Sequence, residues 1–271
     1  MKDHVGVLPL SRICRLFGVA RSSVYHRPVE KEPVDLEPLK ELVRTLLVSF
    51  PRTGVRKMWH YLVRYYTRYS RKQLRQAYLE LGLLRKTHPR KPRTTDSRFT
   101  ENRFPDRVKG LSPERVHQVW VGDVTCFRIG SRFVHLALLM DAYSRMILGW
   151  ALDSSNDGRL ARRALEMALE YGNPEIHHTD QGAPYGSTRY LEILRKAGAL
   201  SSMSEAGKPE DNGKAERLNR TIKEEEIQIS EYRNLAEAEL AIQEYVQRYN
   251  NLRIHQALRY KTPKEVYKEK N

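Results

Sequence analysis

Val119-Trp120-Val121-Gly122-Asp123-Val124-Thr125-Cys126-Phe127-Arg128-Ile129, then Gly130-Ser131, then Phe133-Val134-His135-Leu136-Ala137-Leu138-Leu139-Met140, decides the architecture. Two strand-like runs, the first beginning near Val116, flank a two-residue turn, which is hairpin chemistry. A third run, Met146–Leu152, follows the turn Asp141-Ala142-Tyr143-Ser144. Connections this short imply an antiparallel meander. Phe133–Met140, the longest apolar stretch, is far too short to span a bilayer and reads as a buried strand. Downstream the pattern changes. A helix is expected over Arg159–Tyr171, stopped by Gly172-Asn173-Pro174. A strand over 175–179, a helix over 188–197, a strand over 199–203 and a helix over 213–227 follow. A meander followed by alternating helices and strands is an α/β order, ribonuclease-H-like, with three layers. In that order the middle of the first strand lies beside the end of the fourth.

Acidic residues sit at these places. Asp123 lies mid-strand between apolar neighbours, where a carboxylate is costly unless paired or metal-bound. Asp180 closes Ile176-His177-His178-Thr179-Asp180-Gln181-Gly182, and Glu216 lies early in the helix Asn212-Gly213-Lys214-Ala215-Glu216-Arg217-Leu218-Asn219-Arg220. The intervals hold 56 and 35 residues. Three carboxylates on separate elements can converge on divalent metal. Mg²⁺ takes hard oxygen ligands, and two ions roughly 3.5–4 Å apart stabilise both oxygens of an in-line phosphoryl displacement. Asp123 is the candidate for the shared ligand, with Asp180 and Glu216 on the outer sides. Asp141 competes for the first position, but it opens a Ser/Arg turn and reads as its cap. Glu205, Glu210 and Asp211 compete for the third; they lie in a stretch that is loop by composition, with Asn212 suited to capping the helix after it. Arg220 and Lys223 share the helical face of Glu216, which suits a helix lying along DNA. His178 reads as a supporting group near the acids and His255 as a structural one.

Charge points to the polyanion. The chain has 271 residues and a net charge of +15, unevenly spread. Arg52–Arg93 holds thirteen lysines and arginines against one acid, Glu80, while 94–271 is nearly neutral. A basic block beside a neutral domain is the footprint of nucleic-acid binding. Helices are expected over Leu36–Val48, Thr53–Tyr65 and Ser70–Leu81, the last capped by Ser70 and ended by Gly82. Inward faces carry Val55, Met58, Trp59 and Leu62, then Leu74, Ala77, Tyr78 and Leu81. Arg56, Lys57, Arg64, Arg71, Lys72 and Arg75 are left for the outer surface, interleaved with Tyr61, Tyr65, Tyr66 and Tyr69. This fits a DNA-binding unit at 36–84; a solvated basic face with core tyrosines is the alternative. Upstream, Ser11 can cap a helix with Ile13, Leu16 and Phe17 on its apolar side, Gly18 supplies a turn, and Ala20–His26 forms a second helix offering Arg21 and Ser22. That is a helix-turn-helix pattern within 1–30, equally compatible with a docking module. Residues 85–115 read as a basic linker, 116–230 as the catalytic core and 231–271 as a helical extension, with apolar residues of Leu235–Tyr249 spaced to pack on the core. Cys14 and Cys126 match no zinc spacing, and their free thiols suit a reducing cytosol. The N-terminus lacks the apolar run of a signal peptide, so no membrane association is expected.

The triad Asp123, Asp180 and Glu216 resembles the Asp-Asp-Glu triad of retroviral integrases and insertion-sequence transposases. Trp120–Thr125, Asp141–Arg145, Gly149–Leu152, His178–Gly182, Asp211–Glu216 and Tyr249–Leu258 followed by Thr262-Pro263 all look like family motifs. The chain is similar to the catalytic second-frame protein of bacterial two-frame insertion sequences, over nearly its whole length. The resemblance implies cleavage and strand transfer of double-stranded DNA at element ends and into target. A water or 3′-hydroxyl attacks, without a covalent enzyme intermediate, with Mg²⁺ or Mn²⁺, two ions, at the three acids. Lys223 matches the family's lysine seven residues after the glutamate. A homo-oligomer on DNA, an upstream-frame partner and a cytoplasmic, nucleoid-associated bacterial setting also follow from it. A non-catalytic DNA-binding regulator and a ribonuclease-H-type nuclease are the competing readings; the intact triad disfavours the first and the basic N-terminal modules the second.

Overall fold

The computed structural model describes residues 8–26, 34–65, 69–84, 104–205 and 212–269. The chain divides into two units, Met1–Glu37 and Pro38–Asn271. Most of the expected linker, together with Tyr66, Glu210 and Asp211, lies outside the described residues.

In the first unit, α1 (Leu10–Leu16) and α2 (Arg21–Tyr25) flank Gly18, whose φ of +62° is the left-handed turn that glycine accepts. Ser11 does not cap α1: Pro9 holds that position and Ser11 lies within the helix. The buried face is Ile13 and Cys14, whereas Leu16 and Phe17, expected inside, are each 69% exposed.

The second unit starts with α3 (Glu37–Ser49), α4 (Val55–Tyr65) and α5 (Arg71–Glu80). Leu39, Val43, Met58, Leu62, Leu74 and Ala77 are buried on these helices. Ser70 and Gln73 make a reciprocal capping box at the start of α5. Tyr61 and Tyr78 are core residues; the Tyr78 hydroxyl donates to Thr53 O at 2.9 Å.

The sheet joins β1 (Val119–Ile129), β2 (Arg132–Asp141), β3 (Ile147–Asp153), β4 (Ile176–Thr179) and β5 (Leu200–Met203) in the order β3-β2-β1-β4-β5. The first three strands are antiparallel, and β4 and β5 run parallel to β1. Alternation along β2 explains its unbroken apolar run, because both of its faces are covered. Leu136, Leu138 and Met140 meet α8 (Gly213–Ile222) and α9 (Leu235–Asn251) on one side. Ala137 and Leu139 meet α6 (Gly158–Leu169) and α7 (Thr188–Lys196) on the other. This is the three-layer ribonuclease-H-like core. Gly149 in β3 permits the closest approach, since a Cβ there would stand 2.0 Å from Ala164 O of α6.

Three features depart from or extend the sequence reading. The helix expected over 213–227 is not uniform: α8 ends at Ile222 and a π-helical turn spans Lys223–Ile227. The looser turn lets successive acids reach separate partners: Glu225 makes a two-pronged pair with Arg253 at 2.7 Å, and Glu226 binds Arg248 at 2.9 Å. Asn250 imitates a strand neighbour, accepting from Ile147 N at 2.9 Å and donating to Ile147 O at 2.8 Å. The basic helix α4 is docked on the segment before α10 (Pro263–Glu269). Phe50 stacks on Tyr61, Ile254 N donates to the Tyr61 hydroxyl at 3.0 Å, and Arg64 pairs with Glu265.

Among the described residues, no helix is long and apolar enough to cross a membrane.

Candidate active site

The parallel pairing of β1 with β4 positions two of the acids. Val119 pairs with Ile176 and Val121 with His178. Continued two residues on, this register brings Asp180, the residue just past the end of β4, alongside Asp123 of β1, and the charge of Asp180 acts on Asp123. Asp123 has the strand parity of Val119 and Val121, so it faces α8.

Helix α8 is tied to that place by two asparagines. Asn212, expected as a helix cap, makes no capping bond; its buried amide donates to Gly122 O at 3.0 Å. Asn219 donates to Asp123 Oδ2 at 2.7 Å, and Val124 N donates to Asp123 Oδ1 at 2.8 Å. Lys214 donates to Ala142 O at 3.3 Å. Glu216, in the first turn of α8, is half-buried.

The acids are coupled through mutual repulsion. Burial and the charge of Asp180 lift the Asp123 carboxyl to about 7, with Glu216 adding to the effect, although the bonds from Val124 and Asn219 oppose it. Asp180 keeps an exposed side, yet the protein crowding its carboxyl raises it above the ordinary range against a bond from Gly182 N at 3.0 Å. No lysine or arginine forms an ion pair with Asp123, Asp180 or Glu216 among the described residues. The described side chains do not close into a finished ligand set: no three His, Cys, Asp or Glu groups lie together as a metal cage. The arrangement is a pair of facing acids with a third close enough to act on them. Its donors are hard carboxylate oxygens, which suit Mg²⁺ or Mn²⁺.

The floor of the site is apolar and aromatic. His177 is buried under Gly122, bonded through Nε2 to the Tyr190 hydroxyl at 2.7 Å, and burial lowers it to about 3, so it stays neutral. Tyr185 packs edge-on to Tyr190; its buried hydroxyl has no hydrogen-bond partner among the described residues and is pushed far up by burial, by Tyr190 and by the charges of Asp123 and Asp180. His178 is buried beside Ser202 at 2.9 Å. His255 lies outside the acid cluster, edge-on to Tyr249, with burial and Arg253 taking it down to about 2. Asp141 caps its turn as read, accepting from Ser144 N at 2.7 Å and Ser144 Oγ at 2.6 Å. Asn219 and Tyr185 were not singled out from sequence; the visible signal for Asn219 was an amide three residues after Glu216 on one helix.

Of the expected DNA contacts, Arg21, Ser22, Arg56, Arg71, Lys72, Arg75 and Arg220 are exposed. Arg71 also lies over the Trp59 ring at 5.8 Å. Lys223 is half-buried at the start of the π turn. Lys57 is not on the outer surface. It sits against Arg253 and Glu225, and burial, then Arg253, lower its ammonium to about 8.

Comparison with known proteins fits this core. Two integrase core domain families match, over residues 113–209 and 198–263. The transposase for insertion sequence element IS629 of Shigella sonnei is 32% identical over 280 residues, covering 99% of this chain and 93% of the relative. The chain belongs to the insertion-sequence transposases. Its function is therefore DNA transposition. A second relative of the transposase, the putative transposase for IS986/IS6110 of Mycobacterium tuberculosis (strain ATCC 25177 / H37Ra), is 31% identical over 86% of this chain and 90% of its own. Among solved structures, the HTLV-2 integrase catalytic core domain in complex with magnesium aligns at a TM-score of 0.46 and 19% identity, over 56% of the transposase and 97% of that chain.

Proposed function

We propose that the transposase cuts and joins DNA strands at Asp123, Asp180 and Glu216, using divalent cations held between them. The observation that carries this is the facing pair of Asp123 and Asp180, with Asp123 lifted to about 7 and no ion pair to it from a cation of the described residues. Like charges held together by a sheet register are stable at neutral pH only with a counter-ion or a proton. When bound, Mg²⁺ or Mn²⁺ would supply Lewis acidity at the phosphate and activation of the attacking oxygen. The chain's own residues do the rest. Asp123 would hold the cations together with Asp180 and Glu216, its carboxylate oriented by Asn219 and Val124 N. Asp180 is fixed by Gly182 N. Glu216 is delivered by α8, whose start is anchored to β1 through Asn212. Arg220 and Lys223, near the Glu216 face of α8, hold the scissile strand's phosphates. A water or a 3′-hydroxyl forms the new P–O bond as the old one breaks, and no enzyme–DNA bond is needed.

Arg56, Arg71, Lys72 and Arg75 on the 36–84 module hold the duplex through phosphates. The 1–30 helix pair, through Arg21 and Ser22, adds further contact. A homo-oligomer assembled on DNA, with or without an upstream-frame partner, completes the reading.

The test uses labelled duplex ending in the element's terminal inverted repeats. With Mg²⁺, the transposase should nick or transfer strands, and Asp123→Asn should abolish this while binding persists. Binding without cleavage under Mg²⁺ and Mn²⁺, with and without the upstream-frame product, would overturn the assignment. Cleavage restricted to RNA–DNA hybrids would move the protein to a nuclease reading.

A further inference from the structure

Helix α8 has a second charged face. Glu216 and Arg220 point one way; Lys214, Arg217 and Thr221 lie on another, about 100–160° round the helix. This second face lines a cleft of about 670 Å³, closed by Arg145 from the β2–β3 turn and by Tyr249, Arg253 and His255 from the C-terminal segment. Among the described residues, no aspartate or glutamate lines the cleft. Arg253 is already paired with Glu225, and His255 is neutral. Arg145 and Arg217 have no side-chain hydrogen bond or ion pair among the described residues. Lys214 reaches only a carbonyl, Ala142 O. Three cations, from the β2–β3 turn and α8, therefore converge with no acid of the described residues in the cleft lining.

Two further observations show that this is a built arrangement. Arg145 holds a φ of +64°, a backbone conformation that glycine would adopt more cheaply, so the position keeps an arginine despite the strain. Arg145 is half-buried, burial lowers its guanidinium, and the charge of Arg217 adds to the effect. Crowded, poorly solvated cations of this kind gain most from an anion. Asp141 offsets these charges only in part: its carboxylate favours the charged forms of Arg145 and Lys214, but its hydrogen bonds go to Ser144 and His117 N, and it forms no ion pair with either cation.

We infer that Arg145, Lys214 and Arg217 form a second phosphate-binding cleft, on the face of α8 away from the acids, that takes the phosphodiester backbone of DNA. A duplex is favoured over a small phosphate because Arg217 stands exposed at the rim of a cleft far larger than one phosphate. The helix that carries Glu216 thus grips DNA on two sides.

The experiment is a salt titration of duplex binding by fluorescence anisotropy, on the full-length protein. Each lost phosphate contact should reduce the slope of log K against log salt by about 0.9. Arg217→Gln should show that reduction, and Arg145→Gly, which the left-handed backbone accepts, a similar one; the double variant should lose about 1.8. Asp123→Asn should keep the wild-type slope, so this inference and the catalytic assignment fail separately. Unchanged slopes in variants that melt like wild type would overturn it. Two other results would also do so. One is a wild-type advantage that vanishes in inorganic phosphate at matched ionic strength, which would mark a small-anion site. The other is an unchanged slope with altered sedimentation, which would mark an acidic segment of a second copy.

Discussion

Asp123 stores free energy in the metal-free protein. An aspartate in an unfolded chain titrates near about 3.9, whereas here burial and Asp180 lift it to about 7. Below about pH 4 both states hold the proton and stability is whole; as pH rises through about 7 that stability is lost. The cost at pH 8 is on the order of 2–3 kcal/mol, reduced from the full shift because the residue is partly solvated. EDTA-treated protein should melt lower at pH 8 than at pH 5, and Asp123→Asn should flatten that difference. Parallel pH profiles for both proteins would contradict it. At the same scale, Gly149 lies where a Cβ would strike Ala164 O at 2.0 Å. Gly149→Ala should cost about 3 kcal/mol by urea denaturation, since a helix backbone must shift to admit it. A change below about 1 kcal/mol would mean that α6 is held less tightly than this contact requires.

The π turn is where elements are coupled. It aims Glu225 into Arg253, with side chains only 13% and 11% exposed. Removing one partner of such a pair leaves a charge stranded, at a cost of about 3–5 kcal/mol. Arg253→Met should therefore destabilise strongly, and Glu225→Leu with Arg253→Met should recover most of the loss. A double variant no better than the single would show that the arginine's packing, not its charge, matters. Elements were legible in the sequence where one period dominated. The meander, the Ser70 cap, the turn role of Asp141 and the 213–222 helix all follow from local pattern. Ser11 was misplaced because the helix starts earlier, after Pro9; Leu16, Phe17 and Lys57 were misplaced because burial depends on which surfaces meet, and no local period records that. The π turn was hidden for the same reason: its cause lies at Arg248 and Arg253, more than twenty residues away. The acids were legible because a carboxylate in an apolar strand is anomalous in itself. Their asparagine supports were not, since an asparagine on a helix face has many unremarkable uses.

Across the whole molecule, charge and scaffold are shared between modules. The basic helices are not a loose appendage, because α4 contributes Tyr61 to the packing around Ile254. Deleting the module would strip the core as well as the charge, so its DNA role is better tested by neutralisation. Arg56→Gln, Lys72→Gln and Arg75→Gln together, all at exposed positions, should lower the salt slope of DNA binding by about 2.7 with little change in melting. A slope equal to wild type would assign the block to solvation alone.

The side-by-side placement of Asp123 and Asp180 also dictates which changes of chain length the protein can survive. Both acids lie two residues past a paired position, Val121 and His178. An inserted residue in the 154–157 or 170–174 connections leaves them abreast. One inserted within 119–122 or 176–179 turns every later side chain of that strand to the opposite side of the sheet. Single-residue insertions at the first pair of sites should keep transposition in a genetic hop assay. Those at the second should abolish it even where the protein still accumulates. The core strands up to each acid act as rulers of fixed length, while the spacing of the acids in sequence is free to drift.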